Sequence, residues 1–363
     1  MPQTPNLNIV GACQLIREEA ANLQGINNAF ALKRKTGMLD WLTSPENGGA
    51  NAKYIAMDGK FAKLEVFYDQ RTKECQITDD CYVSVCDPGV TPLRKRFEFL
   101  ADNCVNTPVR AYTLDDMVAL CTDTKNFMRD RGFSDLRAAK EHLSLKMLAE
   151  VDAMKGANLY FSGGKGAVGS SKTVDLITST GGQSIPLPGN YAEIALDYET
   201  NQLNGNPAFI GQGNFELFWK LHGWSCCNAT TPYGTANMEG DGRFYADQAA
   251  NQVLGNNDIL MIAPGAVKAV FFTENSLVEK MGTNSNTYQS IVVPDPDGYP
   301  FSWNFDLYYD ICDKVWKSKY SLIWGVFNTF AGDSFSNNAE TPGSPDCSDE
   351  LDNVTGVFGY TIT

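Results

Sequence analysis

Two histidines, His142 and His222, are the only side chains of this 363-residue chain whose ordinary pKa puts a charge change near neutral pH. His142 stands beside Glu141 in a helically periodic stretch, a setting for packing or solvation. His222 lies in Trp219-Lys220-Leu221-His222-Gly223-Trp224, just before Cys226-Cys227, where a Cys-His nucleophile could be built. It reads as a satisfied loop histidine. No glycine-flanked nucleophile serine and no His-Glu-x-x-His pair is present.

Gly164-Lys165-Gly166-Ala167-Val168-Gly169-Ser170-Ser171-Lys172-Thr173 has the composition of a phosphate loop. Such a loop needs lysine directly after its second glycine, so that the amine reaches the β and γ phosphates. Here Ser170-Ser171 intervene and a long helix precedes in place of a strand, so the segment reads as a flexible loop. Asp295-Pro296-Asp297-Gly298 and Glu239-Gly240-Asp241-Gly242 offer oxygens to a cation but lack the closing bidentate acid of a calcium loop. Both read as turns. The cysteines fall at 13, 75, 81, 86, 104, 121, 226, 227, 312 and 347, with no Cys-x-x-Cys pair. Cys75, Cys81 and Cys86 could ligate a metal, but scattered cysteines in a chain with no secretory leader read as reduced thiols that pack as small apolar residues. No nucleophile, base and stabiliser come together, although paired carboxylates would escape notice in a sequence. The expectation is no catalytic, cofactor or metal site.

The elements that must position these residues are supported by 43% apolar and 11% aromatic residues, enough for a sizeable core. The net charge of −14 repels nucleic acid and anionic lipid. The one basic run, Leu93-Arg94-Lys95-Arg96, precedes Phe97-Glu98-Phe99-Leu100 and reads as a strand edge, a solvated face or a subunit contact. No secretory leader and no membrane-length apolar run is visible, so a soluble protein that stays where it is made is expected.

Residues 8 to 24 have helical spacing. Residues 37 to 53 read as an arm or loop. Lys63–Tyr68 and Glu74–Thr78 alternate around the polar tip Asp69–Lys73, a charged-tip hairpin, and Cys81–Cys86 follows as a strand. Thr113 and Asp116 form a capping box that opens a helix to about Met128. Ser134 then caps a long amphipathic helix. Leu136, Ala139, Leu143, Met147, Leu148, Val151 and Met154 share one face, Lys140, Glu141, Glu150 and Asp152 lie elsewhere, and Gly156 closes it. Ile259–Ala263 is a buried strand, a turn follows, and Val267–Phe272 is a second strand or a short helix. Phe301, Trp303, Phe305, Leu307, Tyr309 and Ile311 alternate with polar residues. After a polar span to Lys319, Tyr320, Leu322, Trp324 and Val326 return as the partner strand. Residues 331 to 353 form an acidic loop or tail, and Val354–Thr363 adds a last strand.

This order, with the phrase Met261-Ile262-Ala263-Pro264-Gly265-Ala266-Val267 ahead of an aromatic hairpin, resembles the major capsid proteins of tailed bacteriophages, the Hong Kong 97-type shell fold also seen in encapsulins. The resemblance implies an α+β phage capsid shell fold with an N-terminal arm, an extended β-hairpin loop, a long spine helix, and peripheral and axial domains. Carried over by position, 1–50 is the arm, 51–98 the extended loop, 99–175 the peripheral domain with its spine helix, and 176–285 the axial domain. Residues 286–363 return to the peripheral domain. It further implies a non-enzymatic protein that self-assembles as pentamers and hexamers of an icosahedral capsid around double-stranded DNA. Assembly would take place in the host cytoplasm. Scaffold, portal or decoration proteins are further partners, DNA is held without sequence specificity, and no membrane is involved. Arg71, Lys73, Arg94, Lys95 and Arg96 become candidate inter-subunit contacts. Two other readings fit the composition: another virion part such as a tail tube, baseplate or head fibre, and an enzyme or carbohydrate-binding module using Trp219 and Trp224.

Overall fold

The computed structural model describes residues 16–18, 36–44, 47, 52–58, 61–69, 94–101, 103–113, 116, 132–156, 158, 169–175, 177–180, 183–186, 188–201, 203, 205–212, 243–248, 250–255, 257–273, 287–329 and 354–363. In chain order a short helix, α1 (Gly37–Leu42), precedes strands β1 (Ala52–Asp58), β2 (Phe61–Asp69), β3 (Arg94–Ala101), β4 (Asn103–Asn106) and β5 (Arg110–Tyr112). The long helix α2 (Phe133–Ala153) leads to β6 (Ser171–Val174), β7 (Ile177–Thr180), β8 (Gln183–Pro186) and helix α3 (Pro188–Thr200). Then come β9 (Ala208–Gly211), β10 (Arg243–Ala246), the single turn α4 (Ala250–Val253), β11 (Asp258–Ile262), β12 (Val267–Phe272) and β13 (Tyr288–Pro294). The last strands are β14 (Ser302–Asp310), β15 (Val315–Asn328) and β16 (Val357–Ile362). The class is α+β, with parallel and antiparallel pairs mixed in one sheet.

β15 organises the larger, six-stranded sheet. Ser321 pairs with both Asn304 and Asn106, and Ile323 with both Phe272 and Cys104. So β14 and β12 follow one another along one edge of β15, with β5 and β4 along the other. The expected aromatic hairpin is β14–β15. Phe305 lies opposite Tyr320 with ring centroids 4.7 Å apart, and Trp303, Leu307, Leu322 and Trp324 are buried beside them. Three details differ from the sequence reading. The return strand starts at Val315, so Lys317 and Lys319 are strand residues. Ile311 leaves the apolar face for the turn and is 78% exposed. The polar face is not solvated: Asn304, Asp306 and Ser321 are fully buried.

The five-stranded sheet runs β10-β9-β11-β16-β6, which places β16 between antiparallel β11 and parallel β6. Val357, Phe358 and Tyr360 are accordingly buried completely. β11 and β12 are the strand, turn and strand expected at 259–272, but they do not pair. The turn, with Gly265 at φ 78, carries the chain from the smaller sheet into the larger. The supposed flexible loop is partly strand, since Ser171–Thr173 belong to β6. Strands from either side of residue 285 share both sheets, β11 with β16 and β12 with β15.

α2 fits its sequence signature. Leu136, Leu143, Met147, Leu148 and Val151 are fully buried, each worth about 1.5–3 kcal/mol relative to exposure. Ser134 does not cap it; the helix starts one residue earlier, after Gly132, with no side-chain cap. Lys140 is not off the apolar face either. Four residues past Leu136 and three before Leu143 it falls on the same stripe, and it is 2% exposed. The capping box at 113–116 is present, with the Asp116 amide donating to Thr113 Oγ1 and the Thr113 amide to Asp116 Oδ2, both at 3.2 Å.

Part of the expected N-terminal arm packs in the core of its own chain: Met38, Leu39, Trp41 and Leu42 are buried. The charged-tip hairpin is also different. β2 is hydrogen-bonded to β1 on one side and to β3 on the other, in a separate three-stranded sheet. Its descending partner is therefore Arg94–Ala101, not Glu74–Thr78. Residues 70–93, which include that run and Cys81–Cys86, lie outside the described residues. So do 331–353, the helix expected at 8–24 except 16–18, and the one expected beyond 116.

Candidate functional site

The inserted sheet β1–β3 leaves the core after Asn47 and re-enters it at Asn103, and both points are tied to the same pair of strands. Asn47 Nδ2 donates to the Val267 carbonyl at 2.9 Å, while its Oδ1 accepts the Gly265 amide at 3.2 Å. The Lys268 amine donates to the Asn47 carbonyl, and burial pulls its pKa down. On the return side Asn103 pairs with Trp324 of β15, whose other neighbour is Phe271 of β12. The insertion therefore stands on a base clamped to β12 and β15.

Of the basic residues expected to make contacts, Arg94, Lys95 and Arg96 open β3, in register with Asp69, Tyr68 and Phe67. Arg71 and Lys73 lie outside the described residues, beyond the end of β2. The structure thus puts three of the five on one strand of the inserted sheet.

A buried polar network joins α1, α2 and the turn after β13. Lys140 Nζ lies 3.1 Å from Asp295 Oδ1 and also meets Asp297. Asp295 accepts the Trp303 indole N–H at 3.0 Å and the Asp297 amide at 2.9 Å. The Asp-Pro-Asp-Gly turn is thus shaped for a cation and receives the chain's own ammonium. The Tyr299 ring lies 5.3 Å from that ammonium, and its hydroxyl meets Thr36 Oγ1 at 3.0 Å and donates to Asp40. Burial, then the neighbouring Asp40, push the Tyr299 hydroxyl's pKa well up, so it stays a donor. Asp247 completes the link by accepting from Ser144 Oγ at 2.7 Å and from the Met38 amide at 3.2 Å. Only glycine fits at position 37, because a Cβ there would lie 2.7 Å from the Ala246 carbonyl.

Sequence reading missed Lys140 as a buried ion, although its position on the apolar stripe was the available signal. It also missed two buried acids. Asp197 accepts from Lys172 at 3.0 Å and from the Tyr360 hydroxyl at 3.1 Å, and burial raises its pKa. Asp306 accepts from Tyr288 at 3.3 Å and from Asn304 at 3.2 Å, and burial raises it too, against the pull of Ser290, Lys319, Tyr288 and Asn304. Lys172, the phosphate-loop candidate, is thus a strand residue paired with Asp197 and Glu193. His142 is exposed on α2. Cys104 and Cys312 are free thiols. The other eight cysteines, His222 and the turn at 239–242 lie outside the described residues. Among the described residues no three His, Cys, Asp or Glu side chains gather as metal ligands, and no helix is long and apolar enough to cross a membrane.

No protein-family model matches the sequence, and no curated protein matches it. Among solved structures it is similar to the capsid asymmetric unit of cyanophage A-1(L), with 12% identity, coverage of 92% of this chain and 94% of that one, and a TM-score of 0.47. It is similar to the capsid of Ralstonia phage GP4, with 9% identity, 84% and 90% coverage and a TM-score of 0.44. The head structure of Helicobacter pylori bacteriophage KHP40 is a third, with 8% identity, 93% and 92% coverage and a TM-score of 0.39.

Proposed function

We propose that this chain is the self-assembling shell subunit of a tailed-bacteriophage capsid, with no catalytic role. The observation that carries the reading is the inserted sheet on its clamped base. Three strands leave and re-enter the core at neighbouring points, which is how a subunit would hold out a lever to its neighbours. In this reading β1–β3 belong to the extended loop, and α2 is the spine helix of a peripheral domain built on β15. Helix α3 and the β7–β8 pair, within 176–285, contribute to an axial domain, while β9–β12 of the same span share the sheets of β16 and β15. Any arm comes from residues 1–35 apart from Ile16, which is fully buried in the core, since 36–47 serve as its anchor. Arg71, Lys73, Arg94, Lys95 and Arg96 are contact candidates.

The buried titratable groups fit a structural role, because each is spent on a partner within the fold: Lys140 on Asp295, Asp247 on Ser144, Asp197 on Lys172. The net charge of −14 suits a wall from which packaged DNA must come free. Other copies of the chain are the required partner; scaffold, portal and decoration proteins are further ones. Purified full-length protein, imaged by negative stain, should form closed particles or capsomers. Tubes or fibres would point to another virion part, and a monomer at all concentrations would end the proposal.

A further inference from the structure

Tyr360 and Asp197 are 163 residues apart in sequence, yet the tyrosine hydroxyl donates to the buried carboxylate at 3.1 Å. Their meeting point is β16. Phe358, Tyr360 and Ile362 alternate with Gly359 and Thr361, so these large side chains share one face of the five-stranded sheet. In the parallel register Tyr360 stands beside Lys172 and Ile362 beside Val174. Asp197 of α3 accepts from Lys172 Nζ at 3.0 Å as well as from Tyr360, so α3 lies over the seam between β16 and β6. On the opposite face Gly359 stands beside Ser171. A Cβ at 359 would lie 2.7 Å from Ser171 Oγ and 2.8 Å from Lys155 Cδ, just past the end of α2. The bare glycine lets β6 and the end of α2 close on the strand.

β6 ends the order β10-β9-β11-β16-β6, and β7 and β8 pair with each other in a sheet of their own. Among the described elements, none of β6, β7, β8 or α3 meets another part of the subunit to the extent that β6 meets β16. β16, by contrast, is fastened to the rest at several points. Asn158 Nδ2 donates to the Val357 carbonyl at 2.8 Å, and its Oδ1 accepts the Gly356 amide at 3.1 Å. Asn328 Nδ2 donates to the Thr355 carbonyl at 2.8 Å, and the Ile362 amide donates to the Asn257 carbonyl at 2.9 Å. Proteins open in contiguous cooperative units of unequal stability, and such a joint marks the border of one. We infer that β16 is a latch that fastens the stretch from β6 to α3, so that opening its β6 edge releases that stretch as one unit while the larger sheet stays folded. The consequence for assembly rests on the shell-subunit reading. There α3 and β7–β8 belong to the axial part, so a subunit with the latch open keeps its core and loses its place in a shell.

Hydrogen exchange on the full-length protein tests this with two variants. Tyr360→Phe removes only the hydroxyl that Asp197 accepts, and Gly359→Val sets a branched side chain against Ser171 and Lys155. Both should speed exchange in β6 and α3 about tenfold or more, the scale of one hydrogen bond to a charged group. Amides of β13, β14 and β15 should keep their wild-type rates, and particle yield should fall. Adding Ser171→Gly to Gly359→Val clears the atom in the way and should return part of the protection. Exchange unchanged in β6 and α3, or raised equally in β14 and β15, would overturn the latch. The expected exchange pattern with wild-type particle yield would overturn its link to assembly alone. A wild-type chain that never assembles would end the shell reading and that link, and leave the latch to stand on the exchange data.

Discussion

Lys140 on the long helix and Asp295 at the turn after β13 form a buried ion pair 3.1 Å apart, with side chains only 3% and 0% exposed. Removing one partner leaves a charge in a low-dielectric site, which costs roughly 3–5 kcal/mol. Lys140→Met should therefore lower stability by about that much. Adding Asp295→Asn should recover part of the loss, because the neutral amide needs no counter-ion. Urea unfolding of the two single variants and the double would show this as strong non-additivity.

Phe305 is 3% exposed and packs on Tyr320 across the β14–β15 hairpin. Truncation to alanine should cost about 3–5 kcal/mol. Phe305→Asp adds a buried unpaired carboxylate, and subunit stability is itself about 5–15 kcal/mol. Phe305→Ala should melt early but remain soluble, and Phe305→Asp should be recovered only as insoluble protein.

Asp306 makes stability depend on pH with a definite sign. Burial raises its folded pKa above the unfolded value, so between those values the folded state binds more protons. Stability then falls as pH rises through that window and is regained on acidification. Denaturation midpoints across a pH series should show this slope in the wild type, and Asp306→Asn should flatten it.

The β14–β15 hairpin, the stripe of α2 and the capping box at Thr113 were legible because each is written in a local period or spacing. Three other features were not, for one shared reason. The pairing of β2 with β3, the central place of β16 and the burial of Met38 and Leu39 are set by partners far along the chain. Alternation marked two faces of β14, but it could not tell that Asn304 and Asp306 would be covered. Lys140 was legible in its spacing and misjudged by its charge. The Asp295-Pro296-Asp297-Gly298 turn was correctly seen as oxygen-rich, and only the fold could supply the ammonium it holds.

Arg71 and Lys73 follow β2 in sequence and lie outside the described residues. In the shell reading they are contact candidates, so charge reversal there acts on assembly. Arg71→Glu with Lys73→Glu should give soluble subunits with an unchanged melting transition and fewer shells. Circular dichroism and particle counts on the same preparation would check both halves.

Self-assembly is the central claim, and its most direct test is negative-stain electron microscopy of the purified full-length protein across a range of concentration and salt. Closed particles of uniform diameter, or discrete capsomers that build them, are expected. A single species of one chain's mass, 39.8 kDa, at every concentration and salt would contradict it.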